Sequence, residues 1–249
     1  MSLPVLNAPI HKTTLPVSLV EVTFRPFLVK EEKIMIIAEA EDSVDEIENA
    51  VSQVITNCTF GKIDPYKLCQ TDLEWLLLQV RGRSKGFDVD LVFRCVNEID
   101  KEDKDGHTHK GPCNFRNEIK SNLKTVKVVG GNESQIIQLS EDIGMKMREP
   151  TIGVLRAIEK LKLSDVDRGM AIIMASIESI YNRDEVWAAA DLTREELTEF
   201  LESFTESQFN KVKDWGENSS ELQLEVNFIC QKCGAKDKIT ISGMENFFG

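Results

Sequence analysis

The chain has 249 residues, 41% of them hydrophobic, and a formal net charge of −12. That length supports one sizeable core or two modest domains, and the apolar content excludes an intrinsically disordered polymer. The acidic balance argues against sequence-independent binding to DNA or RNA, because a phosphate backbone selects for Lys and Arg.

No run approaches the roughly 20 apolar residues that a membrane-spanning helix needs. The start, MSLPVLNAPIHKTTLPV, lacks the apolar stretch of a secretory leader. A cytosolic setting with reduced thiols is expected. The six cysteines then suggest metal ligands or core residues before disulfides.

Residues 1–22 carry prolines and little helical period, and read as an extended arm. Pro26 breaks the chain before a helix that opens on Glu31 and Glu32, acids suited to a helix N-terminus. Its run Ile34, Met35, Ile36, Ile37 and Ala38 is apolar all round, which predicts a fully buried helix. Ser43 and Glu46 stand at capping-box spacing before a stripe of Val44, Ile47, Val51, Val54, Ile55 and Cys58. Gly61 and Pro65 mark a loop. A further helix is expected from an N-cap at Thr71, with Leu73, Leu76, Leu77 and Val80 buried and Gly82 near its end.

The period then changes to two. Phe87, Val89, Leu91, Phe93 and Cys95 alternate with mostly polar residues, as in a half-buried strand. Residues 96–112 read as a charged loop leading to Cys113 and a weaker strand signal, LKTVKVV. From about 150 to 215 the pattern is helical again. Val166, Met170, Ile173, Met174, Ile177, Ile180 and Tyr181 form one wide stripe behind a cap at Ser164. Thr193 with Glu196, and Thr205 with Gln208, form two capping boxes. The end returns to strand period at Leu222, Leu224, Val226 and Phe228, then Ile239 and Ile241.

Cys230 and Cys233 have the spacing of a metal knuckle, of a redox couple, or of two buried thiols. A redox couple should open a helix, whose N-terminus lowers one thiol's pKa. Here a strand-like run follows, and Gly234 can take the positive φ of a tight turn. Both features favour metal. Two thiolates supply two corners of a tetrahedral zinc site. The natural second pair is Cys95 and Cys113, although their separation exceeds the usual knuckle. His107 and His109 lie between them as possible substitutes, or as solvated loop residues. Cys58 and Cys69 are assigned to the core. A four-thiolate zinc would be coordinatively closed, hence structural. No phosphate-binding loop, dinucleotide fingerprint or H-E-x-x-H motif occurs, so no enzyme activity is expected.

Three segments carry a resemblance. They are Arg25-Pro26-Phe27 before Lys30-Glu31-Glu32-Lys33, then Asp72, Glu74, Arg81 and Gly86, then Cys230, Cys233 and Gly234 with Gly243, Phe247 and Phe248. In this order and spacing the chain resembles the baseplate hub assembly family of T-even-type myoviruses. The widened interval between Cys95 and Cys113, with a charged insertion at 98–112, departs from that pattern. The resemblance implies a non-enzymatic assembly factor that binds hub subunits in the host cytoplasm without necessarily staying in the virion. The alternative is a permanent structural subunit of the baseplate. A third class, a zinc-ribbon nucleic-acid binder, is disfavoured by the acidity. The expected partners are phage baseplate hub proteins, with no nucleic acid and no membrane.

The fold expected is α+β but mainly helical, with a small antiparallel, zinc-ribbon-like β unit made by two strand–Cys–strand segments. The regions are an arm (1–22), a helical region (23–86), a β unit (87–131 plus 217–249) and a second helical region (132–216). Candidate metal ligands are Cys95, Cys113, Cys230 and Cys233, holding one structural zinc. Candidate partner-binding residues are Phe247 and Phe248, aromatics that are costly to expose, together with Arg25 and Phe27.

Overall fold

A computed structural model describes residues 7–41, 43–103, 105, 107–131 and 135–243. Among these residues there are seven α-helices and thirteen strands, the strands in several small sheets. The chain is therefore mixed α+β, which corrects the expectation of a mainly helical protein. The strands that sequence reading missed are short, or polar on both faces, or continuous with a helical apolar run.

The described part of the expected arm folds back on itself. Strands β1 (His11–Thr14) and β2 (Glu21–Phe24) form an antiparallel hairpin. Its turn is pinned by the buried carboxylate of Asp72, which accepts the Val17 and Ser18 N–H groups at 2.8 and 3.0 Å. Leu15, Val22 and Phe24 are thereby drawn into a core with Val54, Ile55, Cys58, Leu76 and Val80. The helices of this core are α1 (Val29–Glu41), α2 (Val44–Cys58) and α3 (Gln70–Lys85). Only one face of α1 is buried, through Ala38 and the partly buried Ile34 and Met35. Ile36 and Ile37 are 56% and 60% exposed, so α1 is not buried on all sides as expected.

Entry into α1 is locked by an ion pair. Glu31 is fully buried. Its carboxylate accepts from the Arg25 guanidinium at 3.0 and 3.2 Å and from the Leu28 N–H at 2.9 Å. Burial opposes the charge on Glu31, but the Arg25 and Leu28 hydrogen bonds prevail and hold its pKa below the ordinary carboxylate value. The other end of the unit shows a second departure. Cys69, not Thr71, is the N-cap of α3. Thr71 instead donates its hydroxyl to the Ser220 carbonyl at 2.6 Å, a contact 149 positions along the chain.

Next come β3 (Asp88–Arg94), β4 (Glu98–Glu102), β5 (Thr108–Pro112), β6 (Arg116–Asn122) and β7 (Lys127–Val129). β3 pairs with β6 and β4 with β5, both antiparallel. The β4–β5 hairpin occupies most of the interval expected to be a loop. It is largely solvated on both faces, so it carries no apolar alternation to read.

The second region expected to be helical contains a four-stranded sheet of order β11-β10-β9-β8. Its strands are β8 (Ile136–Gln138), β9 (Gly144–Met147), β10 (Ile177–Tyr181) and β11 (Val186–Ala188). Helices α4 (Ile152–Lys160), α5 (Asp165–Ser176), α6 (Arg194–Glu202) and α7 (Glu206–Glu217) accompany it. The apolar stripe leaves the helix at Ser176, so Ile177, Ile180 and Tyr181 are strand residues. Pairing of β10 with β9 buries Ile177 and Ile180 beside Met145 and Met147. Leu197, Leu201, Val212 and Trp215 from α6 and α7 close that core. Both capping boxes, at Thr193 and Thr205, are complete.

The last strands, β12 (Glu221–Ile229) and β13 (Lys236–Ser242), join β7 in a sheet of order β13-β12-β7. Leu222, Leu224, Val226 and Ile241 pack against Val89 and Leu91 of β3 and Leu78 of α3. One core thus unites segments that are far apart in sequence, and the cysteines stand at its end.

Candidate metal centre

The antiparallel β3–β6 ladder ends at the pair Arg94 and Arg116. Backbone bonds carry the approach further. The Cys95 N–H donates to the Phe115 carbonyl at 2.9 Å, and the Asn114 N–H to the Cys95 carbonyl at 2.8 Å. The Cys113 N–H then donates to the Asn97 carbonyl at 2.8 Å. Asn114 adopts a left-handed conformation, φ 55°, which Asn tolerates better than most residues. The interval between Cys95 and Cys113 is therefore closed at its base, and β4–β5 projects from it as a finger. The wide spacing is an insertion within a knuckle whose two ends remain together.

Cys230 and Cys233 lie in the turn between β12 and β13. The Cys230 N–H donates to the Ala235 carbonyl at 2.8 Å, and the Gly234 N–H to the Cys230 carbonyl at 2.9 Å. Gly234 has φ 72°, the left-handed conformation this turn requires. The segment after Cys233 is a strand, not the helix of a thioredoxin-like couple. Phe93 of β3 stacks on Phe228 of β12, ring centroids 6.1 Å apart, beside the junction of the two hairpins.

These two turns face each other. The four sulfurs of Cys95, Cys113, Cys230 and Cys233 all lie within 4.8 Å of one another. Cys95 Sγ is 3.7 Å from Cys233 Sγ, and Cys113 Sγ is 3.9 Å from Cys230 Sγ. Both separations are too long for a disulfide. They match the edge, about 3.8 Å, of a tetrahedron with metal–sulfur bonds of about 2.3 Å. Cys95, Cys113 and Cys230 are buried and Cys233 is partly so. The donor set thus fits a soft tetrahedral ion.

The surroundings favour negative sulfur at one corner. Burial pushes the Cys230 thiol up. The N–H groups of Cys233 and Lys232, the Asn117 amide and the Cys233 thiol outweigh it and bring the value down to about 6. Cys95 moves the other way, to about 12: the Asn97 N–H lowers it, while desolvation and hydrogen bonding with the other three thiols prevail.

Sequence reasoning missed Asn117. This buried side chain donates to Cys230 Sγ at 3.7 Å and to the Phe115 carbonyl at 3.2 Å, and accepts the Gln231 N–H at 3.1 Å. It ties one knuckle to the other. No local signal marked it, because the strand that carries it, RNEIKSN, is mostly polar and has no apolar alternation to read. His107 and His109 are exposed on the finger and do not join the cluster. Cys58 and Cys69 are buried elsewhere, and their thiols are pushed up to about 11 and about 12, chiefly by burial. Arg25 makes its contacts within the chain, and Phe27 packs against the N-terminal core. Phe247 and Phe248 lie outside the described residues.

Fold and site together define an α+β protein whose two distant β-hairpins meet at a four-thiol centre. Residues 8–249 match the family described as T4 bacteriophage base plate protein. The chain belongs to that family. It is similar to the baseplate hub assembly protein gp26 of Enterobacteria phage T4, with 25% identity over 225 residues that cover 90% of each chain. No solved structure matches it. Among the described residues no helix is long and apolar enough to cross a membrane.

Proposed function

We propose that this protein is an assembly factor for the central hub of a phage tail baseplate, which works by binding hub subunits and not by covalent chemistry. The observation that carries the reading is the family match over nearly the whole chain, joined to a relative named for hub assembly. Binding of this kind holds a subunit in its assembly-competent conformation and so lowers a kinetic barrier. The place of action is the host cytoplasm during tail assembly.

The same reading assigns one structural zinc to Cys95, Cys113, Cys230 and Cys233. Four thiolates fill a tetrahedral zinc shell and leave no open position for a substrate. The ion would clasp the two hairpins and hold their shared sheet core in shape. Elemental analysis of the purified protein is expected to give about one zinc per chain. Freely titrating Cys230 and Cys233 in a folded, metal-free chain would remove the zinc.

The functional test is depletion from infected cells. Hub subunits should accumulate unassembled, and expression of the protein in trans should restore tails. Mass spectrometry of purified particles separates the two baseplate roles. Absence from particles supports the assembly factor, and a fixed copy number per tail assigns a permanent subunit instead.

A further inference from the structure

The outer face of α1 gathers several exposed apolar side chains. Val29, Lys33, Ile37 and Glu41 recur every four residues and so form one ridge of the helix. Ile36 flanks that ridge, and Leu28 precedes it. Val29 is 68% exposed and Leu28 42%, in line with Ile36 and Ile37. Lys33 and Glu41 are exposed too, and neither has an ion-pair partner among the described residues. The helix cannot roll to hide this face, because Glu31 on the opposite side is locked to Arg25. Leu28, Val29, Ile36 and Ile37 gathered on one helix face are more than the single exposed apolar residues normal to a surface.

The order of charges says what covers it. Lys33 lies one helical turn before Ile37, and Glu41 lies one turn after. A two-fold axis passing by Ile37 sets Lys33 of one copy against Glu41 of the other, and does so twice. Ile36 and Ile37 of both copies meet between those pairs. A surface that is basic at one end, apolar in the middle and acidic at the other complements itself when turned end for end. We propose that α1 is a homodimer contact, packed antiparallel on α1 of a second copy. The contact rests on few apolar side chains, so the dimer expected is a weak one, to be sought across the micromolar range. This inference stands apart from the hub reading and does not depend on it.

Sedimentation equilibrium of the full chain tests it, at concentrations from about 1 to about 200 µM. The weight-average mass should rise from the 28.2 kDa of one chain toward twice that value. Ile37→Ser should hold the mass at that of one chain, with the circular dichroism spectrum unchanged because the side chain is exposed. Lys33→Glu and Glu41→Lys should each weaken association about fivefold or more, and the double variant should restore it. One-chain mass at every concentration overturns the proposal. So does a dimer that ignores Ile37→Ser, or a double charge reversal that restores nothing. Capture of a purified hub subunit by the Ile36–Ile37 face of a chain that stays monomeric would assign the face to a different partner and overturn it as well.

Discussion

At the scale of single residues, two buried polar side chains organise more structure than their number suggests. Glu31 is fully enclosed and answered by Arg25, whose side chain is only 11% exposed. Removing one partner of such a pair leaves the other charge buried and unpaired, which costs about 3 kcal/mol or more. Glu31→Gln is expected to destabilise the protein by about that much near neutral pH. The pH dependence follows from the depressed pKa of Glu31 in the folded state. Its stabilisation is complete above the unfolded carboxylate value and is lost as pH falls through the lower folded value. Urea unfolding of both proteins should therefore show a gap that is constant at neutral pH and closes below about pH 4. Asn117→Ala should leave the four thiols in place but remove the amide beside Cys230. Metal affinity, measured by chelator competition, is expected to fall about 10- to 100-fold. The Arg25–Glu31 lock was half legible in sequence. Glu31 could be read as a first-turn acid, but its inward turn toward Arg25 could not, since period says nothing about which polar residue is buried.

At the scale of elements, legibility followed the strength of the local signal. The capping boxes at Thr193 and Thr205 and the alternation in β3 and β12 are local patterns, and they fold as they read. The β4–β5 finger and the sheet built on β10 depend on pairing with distant strands. A solvated hairpin has no core face to imprint a period, and the apolar run through Ser176 satisfies helix and strand alike. The cysteine centre was legible in composition yet not in spacing, because the finger separates Cys95 from Cys113 in sequence while backbone bonds at its base rejoin them. A direct test follows from that geometry. Replacing residues 98–112 with a short glycine linker should preserve the centre, since Cys113 already bonds to Asn97. The shortened protein is expected to keep its metal content and to melt within a few degrees of the parent in calorimetry. Loss of metal would show that the finger is needed to form the knuckle.

At the scale of the whole molecule, the centre and the sheet core share the strands β3 and β12 and are expected to unfold together. Leu222, Leu224 and Val226 of β12 complete a core begun by Leu78, Val89 and Leu91, and the proposed zinc would hold its open end together. A high-affinity chelator is expected to lower the melting temperature by roughly 10 °C or more, as several kcal/mol of ion binding are lost. Readdition of zinc should restore the transition, and calorimetry records both steps. Thr71 and Ser220 extend the same unit to the N-terminal helices, through the bond from the Thr71 hydroxyl to the Ser220 carbonyl. The order of synthesis gives this closure a further meaning. The first two thiols leave the ribosome well before the last two. At about 5–20 residues per second, the segment between β6 and β12 takes on the order of ten seconds to emerge. During that time Leu78, Val89 and Leu91 have no β12 to cover them. A nascent chain is thus unfinished in shape until its last hairpin arrives, and a ribosome that stalls before β12 would release a product marked by exposed core for the host's quality-control proteases.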